Sequence, residues 1–364
     1  MVLFFLLSSV IVHHKNFSWR PGFFAYLFSF LCFIFVRATI QYATPNSLYK
    51  SMTFYLIVSG ILILLQVRSS TNMFYVSRFF EYQTSFPMYQ GLGFADFHVV
   101  ASGIILWMLS AFVTRFSLGD SDTNGALLSK RRFLDLTAIS LGSIGILYAV
   151  SRAGWVAMIF AWVFIFAALF FYGRPRHYFF QALLIAILSL IACGQSKSRG
   201  HYVSGKICSM VGIGRDPRHE LRNEVSAHTK IQAWELAIKT IISHPIWGIG
   251  IDQFPALYYE KVRSKLNPMK AHIDLENRGV NAENSFLSYM VEVGLLPSLF
   301  LFALMAYVVY KSLVHFSLTS FPFLLGFIAV CIWAIFADYL KERLFWIAFG
   351  MLAGLAENPQ SAEK

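Results

Sequence analysis

Between residues 195 and 284 the chain carries thirteen Lys and Arg residues against nine Asp and Glu. An excess of cations in one polar segment suits an anionic ligand, either the phosphates of a lipid pyrophosphate or the headgroups of an anionic bilayer. The same segment holds side chains able to take up a proton, His244, His272 and Glu283, with Lys230, Arg278 and Asn284 as further polar candidates. Metal chemistry finds no comparable footing. Asp120, Asp122, Asn124 and Gly125 imitate the start of a calcium loop, but the twelfth position is Arg131, where a bidentate carboxylate is required. Cys32, Cys193, Cys208 and Cys331 show no CxxC or Cys/His spacing, so neither a zinc site nor any other metal is expected. Cys193 and Cys208 fall on the expected outer side, where a pairing between them is chemically open.

These polar residues sit in a chain that is otherwise apolar. Hydrophobic residues make up 57% of its 364 positions and charged ones 13%, against about 25% charged in an average soluble domain. The composition predicts an all-α, polytopic membrane bundle. Taking about twenty apolar residues as the length that crosses a bilayer, spans are expected near 2–12, 21–40, 50–66, 95–114, 133–150, 154–172, 178–194, 285–310, 319–337 and 343–356. That gives about ten, in three sections: N-terminal transmembrane helices over 1–194, a long extracytoplasmic loop over 195–284 and C-terminal transmembrane helices over 285–364. The first run lacks a basic leader and a small-residue cleavage site, so it reads as a span, not a removed signal.

Orientation follows from Lys and Arg in the short loops. Arg115, Lys130, Arg131 and Arg132 border one loop, and Arg174 and Arg176 lie in another; both are expected in the cytoplasm. Alternation then places both termini inside, and the 67–94 loop, the turn at Ser151 and Arg152 and the 195–284 segment outside. The Asp120 and Asp122 pair, which also has the look of a sugar-transferase metal motif, falls on the cytoplasmic side and reads as a solvated turn. The net charge of +11 raises the question of nucleic acid, but the basic residues are spread over loops on both faces with no recognition module. Membrane lipids are the expected contact. Arg68, Arg78, Glu81 and the aromatic residues of the 67–94 loop suit either sugar stacking or an interfacial segment.

Within the long loop, a charged, Gly-containing stretch to about Ser226 reads as irregular. Residues 229–242 then place Ile231, Trp234, Ile238 and Ile241 at helical spacing, which predicts an amphipathic helix lying over the membrane or packed on the bundle. His244-Pro245 ends it, because the residue before proline is pushed out of the helical region. Gly248 and Gly250 then permit a turn. A second helix is expected over Phe254–Lys265. The loop closes on Ala282-Glu283-Asn284-Ser285 and runs into the 285–310 span, where Glu283 also suits a capping or first-turn carboxylate.

Three linked pieces resemble the O-antigen ligase and Wzy-type polymerase superfamily of bacterial membrane glycosyltransferases. They are Ser151-Arg152-Ala153-Gly154-Trp155; Lys230 and Trp234 followed by His244-Pro245-Ile246-Trp247-Gly248-Ile249-Gly250 and Phe254; and Glu283-Asn284-Ser285-Phe286-Leu287 followed by Glu292 and Gly294. The resemblance covers roughly residues 95–310. It implies a metal-independent transfer of a glycan from an undecaprenyl-pyrophosphate-linked donor to a glycan or lipid A-core acceptor, at the periplasmic face of the bacterial inner membrane, with no cofactor. It also implies roles. Arg152 matches the arginine that the family uses for the phosphates, as a bidentate partner. Lys230 stands where the family usually has a second arginine. Glu283 stands where its ligases carry the histidine of a His-Asn pair, the acceptor-activating base; a carboxylate can also take that proton. Asn284 then orients a sugar hydroxyl or the neighbouring carboxylate, Arg278 contacts phosphate or sugar, and His272 is a second possible base. His244 reads chiefly as a helix terminator.

Two other functional classes remain open at this point, a lipid-linked oligosaccharide flippase or transporter and a non-catalytic assembly partner. A transporter is expected to hold ionisable groups in mid-membrane, whereas these spans are almost free of them.

Overall fold

The computed structural model describes residues 21–40, 42–69, 98–118, 130–148, 152–171, 177–194, 217–261, 282, 284–314, 320–336 and 343–357. The expected 2–12 span, most of the 67–94 loop and the Asp120 to Gly125 turn lie outside them. The described residues form helices α1 (Pro21–Ile40), α2 (Pro45–Ser69), α3 (His98–Leu118), α4 (Lys130–Tyr148), α5 (Arg152–Phe171), α6 (His177–Gly194), α7 (Pro217–Ser243), α8 (Phe254–Lys261), α9 (Ser285–Val293), α10 (Leu295–Val314), α11 (Phe321–Ile335) and α12 (Arg343–Glu357). No strand occurs among them. Stretches Ser47–Leu65, Gly154–Phe171 and Leu295–Val314 are long and apolar enough to cross a membrane, and six shorter apolar helices accompany them.

The helices fall into two compact units. One contains α2 to α6 and most of α11. Its close contacts are made by glycine, as expected where helices in lipid associate by packing and not by a hydrophobic drive. At Gly60 in α2 a Cβ would stand 2.6 Å from Leu141 Cβ and 2.8 Å from Leu141 O of α4. At Gly103 in α3 it would stand 2.7 Å from the indole ring of Trp333 in α11. Tyr49 carries the Arg115 guanidinium over its ring at 3.8 Å, joining the start of α2 to the end of α3, a cation–π contact. Between α5 and α4, Trp155 Nε1 donates to Ile146 O at 3.0 Å. That bond ties the first turn of α5 to the last of α4 and sets the backbone on which Arg152 opens its helix.

The other unit contains most of α1, α7 to α10 and most of α12. Phe33 of α1 stacks on Phe349 of α12 with ring centroids 5.0 Å apart, and Trp346 meets Phe30 and Phe33 edge-on. In the polar part of this unit, Ala233 and Ala237 of α7, Phe254 and Tyr258 of α8, Ala282 and Val291 of α9 form one buried cluster, edged by Leu236, Ile241, Ile249 and Leu287. Burying each large side chain of such a cluster contributes about 1.5–3 kcal/mol.

Three expectations change. Residues 217–226 are helical, so α7 starts well before the expected position; Pro217 stands at its first turn, where the fixed φ of proline favours a helix and its missing N–H costs nothing. The stripe of Ile231, Trp234, Ile238 and Ile241 divides: Ile241 edges the buried cluster and Trp234 is half-buried, while the other two lie outside it. Ala233, Ala237 and Thr240 are buried, whereas Ile231 is 54% and Ile238 49% exposed. And the 285–310 stretch is two helices, broken at Gly294.

Replacing Gly60 by Ala must push α4 backbone aside and is expected to cost about 1–3 kcal/mol, the range for overpacking. Gly142→Ala meets only leucine methyl carbons, at 3.1 Å on Leu56 and 3.2 Å on Leu109, and should cost less. Heating the detergent-solubilised variants and following the monodisperse fraction ranks the two; equal melting would refute the backbone contact as the cause.

Candidate functional site

The break at Gly294 is made by an exchange of hydrogen bonds. In a continuous helix the carbonyls of Val291 and Glu292 would accept from residues 295 and 296. Here Ile249 N donates to Val291 O and Gly250 N to Glu292 O, both at 2.9 Å, while Leu295 N turns to Pro245 O at 2.7 Å. The turn that follows α7 thus replaces two steps of the helical ladder between α9 and α10. No backbone group named here is orphaned, which matters because an unsatisfied carbonyl in lipid costs several kcal/mol.

Only glycines fit where the two segments cross. Gly248 has φ 66° and Gly294 φ 89°, values that L side chains rarely adopt. A Cβ on Gly294 would run into the carbonyl oxygen of Ile246 and come within 2.7 Å of Gly248 N; one on Gly248 would run into Val291 O and come within 2.6 Å of Gly294 N. The glycines of two separate motif pieces therefore interlock.

Beneath this crossing lies Glu292, 1% exposed. Tyr26 of α1 donates to its Oε2 at 3.3 Å, and Tyr26 also meets Tyr289 edge-on at 5.8 Å between centroids. Sequence reasoning took Glu292 as part of a motif and missed Tyr26, one aromatic residue in an apolar run 266 positions away; no local signal marks it.

At the other end of α9, Asn284 is the N-cap, with extended backbone (φ −147°, ψ 113°) and Oδ1 accepting from Phe286 N and Leu287 N at 3.1 Å each. The capping that suited Glu283 on sequence grounds is made by Asn284, so this amide oxygen is occupied by the helix. Ala282 and Asn284, on either side of Glu283 in the chain, are both buried.

His244 follows the last residue of α7, exposed, with Nδ1 2.9 Å from Ser243 Oγ and its carbonyl accepting from Gly248 N at 3.2 Å. It ends the helix as expected. Lys230 lies on α7, half-buried, one turn before Trp234. Arg152 is the first residue of α5, in the other unit, and its side chain lies outside the described residues. Glu283, His272 and Arg278 also lie outside them, as does the side-chain pair Cys193 and Cys208. Among the described residues no cluster of His, Cys, Asp or Glu is arranged to hold a metal ion.

Residues 137–303 match the family model for O-antigen ligase, Wzy_C. The matched segment, just under half of the chain, is similar to the O-antigen ligase family. It runs from α4 through the Arg152 turn, α7 and the glycine crossing into α10, and includes every piece on which the sequence resemblance rests. This similarity and the apolar helices together support a membrane protein of polysaccharide biosynthesis, with a glycosyltransferase-like family as its match. No curated protein matches the chain.

Gly294→Ala is expected to destabilise by several kcal/mol, through a strained φ of about 1–3 kcal/mol and the clash with Ile246 O together. Measured as loss of folded protein in detergent, an effect near zero would show that the crossing is not tight. Asn284→Ala should cost about 1 kcal/mol, and Asn284→Ser or Asp much less, since either side chain can cap. If Ser and Asp melt as low as Ala, the cap is not what Asn284 contributes.

Proposed function

We propose that the protein transfers or polymerises lipid-linked surface polysaccharide, with an undecaprenyl-pyrophosphate-linked glycan as donor and a glycan or lipid A-core as acceptor, at the periplasmic face of the inner membrane, in a bundle of about ten spans. The match of residues 137–303 to the O-antigen ligase family carries this reading.

The chemistry assigns each residue a step. Glu283 takes the proton of the acceptor hydroxyl, worth about 10²–10⁴-fold for a positioned base. The oxygen so freed attacks the anomeric carbon, and the bond from that carbon to the pyrophosphate oxygen breaks. The departing lipid pyrophosphate carries the electron pair, and cations stabilise its charge. Arg152 and Lys230 are assigned to the phosphates, Arg152 on the match of its sequence piece. Arg278 and His272 are reserved for phosphate or sugar contacts. Each step uses side chains of the protein alone.

Support from the fold is indirect but specific. Lys230 and the residues around Glu283 belong to one unit, and the buried cluster of α7, α8 and α9 fixes the backbone of both. Rigid support of this kind is what a transfer between two large substrates needs, because misplacement by 1 Å costs about 10²-fold.

Arg152→Ala and Glu283→Ala are each expected to lower surface glycan by at least about tenfold in cells at unchanged protein level, with length and attachment read on gels. Wild-type glycan from a stably expressed double variant would overturn the assignment. Deletion distinguishes the two modes: long chains left on the lipid carrier indicate a missing ligase, single repeat units a missing polymerase.

A further inference from the structure

Helix α7 has three faces, not two. At about 100° per residue, Ala233, Ala237 and Thr240 form a buried strip of small residues. On the far side from that strip, Glu235 and Lys239 are exposed. Between them runs an apolar flank: Trp234, half-buried, then Ile238, Ile231 and Ile242, the last 73% exposed. The flank continues past the end of the helix into Ile246 and Trp247, also exposed.

Three branched side chains displayed over more than two turns call for a cover, and the fold indicates which. The bond from Leu295 N to Pro245 O fastens Ile246 and Trp247 beside the first residue of α10. That helix has the length and apolarity to cross a membrane, and its first turns display Leu296, Leu299 and Phe300 outward. The exposed flank of α7 is thus joined, without a polar interruption at the junction, to the outward face of a spanning helix at the point where it leaves the membrane. Tryptophan is favoured at that depth. Charge on one side and bulky apolar residues on the other is the pattern of a helix lying in the interface plane.

We propose that α7 is an in-plane helix of the membrane surface, with Ile231, Ile238, Ile242, Ile246 and Trp247 among lipid acyl chains and Glu235 and Lys239 in water. Lys230, at the edge of the same flank, is thereby held at headgroup depth, the level of the phosphates of any lipid-linked substrate. Its aliphatic stem can lie along the apolar flank while the ammonium stays at the phosphates. The placement rests on the membrane reading of α10 and is independent of the catalytic assignments.

The test uses the full chain in liposomes of neutral and anionic phospholipid, with the four native cysteines replaced by Ala and a nitroxide attached at Ile238→Cys, Ile242→Cys, Lys230→Cys or Lys239→Cys. Collision with oxygen, which concentrates in the bilayer, is compared with collision with a water-soluble nickel chelate. Oxygen should dominate at 238 and 242, the chelate at 239, and 230 should fall between them. Dominance of the chelate at 238 and 242 would overturn the proposal by placing the flank in water. Protection of both positions from both colliders would overturn it by showing a protein cover, such as a second copy of the chain. The pattern is read on folded protein without turnover. If the depths are as expected and Lys230→Ala still makes normal glycan, the surface placement stands and only the role of Lys230 in transfer is lost.

Discussion

The approach of Gly248 to Gly294, backbone on backbone, is the constraint from which most of the polar unit follows. It fixes where α7 must have ended, because His244 and Pro245 have to deliver a carbonyl to Leu295. It fixes where α9 stops, because Val291 and Glu292 give their carbonyls to the turn and not to the next helical turn. Individually such bonds contribute about 0.5–1.5 kcal/mol net. Their weight lies in the alternative: a helix break near lipid without replacement donors would leave carbonyls bare at several kcal/mol each. The turn and the break are therefore a single feature, and neither can be altered without the other.

Much of this was legible in the sequence, for reasons that differ residue by residue. The helical class followed from composition, and the end of α7 from the backbone restriction that proline places on His244. The break inside 285–310 was not legible, since the run is apolar throughout and Gly294 looks like any glycine in a membrane helix. What breaks it is a donor supplied from the turn after α7, a non-local partner that periodicity cannot register. The packing of α7 was legible only in part for a related reason. Periodicity finds the largest apolar residues, whereas close packing against α8 and α9 selects the smallest, Ala233 and Ala237, with Ile241 at the edge, and leaves Ile231 and Ile238 outside. Tyr26 could not be found at all, because its partner Glu292 is distant in the chain.

Glu292 illustrates how a spanning protein tolerates a buried carboxylate. An unpaired charge there would be expensive, and the residue is 1% exposed. The Tyr26 hydroxyl directed at Oε2 offsets part of that cost and, in doing so, couples α1 to the segment that carries the glycine crossing. Because α1 also packs on α12 through Phe33, Phe349 and Gly350, the crossing is braced from the apolar side by helices far away in sequence. The buried cluster of Phe254, Tyr258 and Val291 braces it from the polar side.

The two departures from the family pattern, Lys230 and Glu283, have consequences that can be argued together under the proposed chemistry. A histidine base is neutral before it takes the acceptor proton and cationic after, so the proton transfer adds a positive charge beside a departing pyrophosphate. A glutamate is anionic before and neutral after; it starts repelled by the phosphates and loses the repulsion as the reaction proceeds. The change in charge is the same, one positive unit, so stabilisation of the leaving group relative to the ground state is preserved, while binding of the anionic donor is weakened. Restoring that binding requires cations nearby. Lysine at 230 only keeps the charge of the arginine it replaces, as a mobile point charge without the bidentate fork, so it adds no cation to offset the glutamate and imposes less on the orientation of the diphosphate. Under the proposed chemistry the pair therefore leaves the site one unit less positive than the family pattern and relaxes its geometric control, which places more of the binding of the anionic donor on the other proposed cations, Arg152 and Arg278.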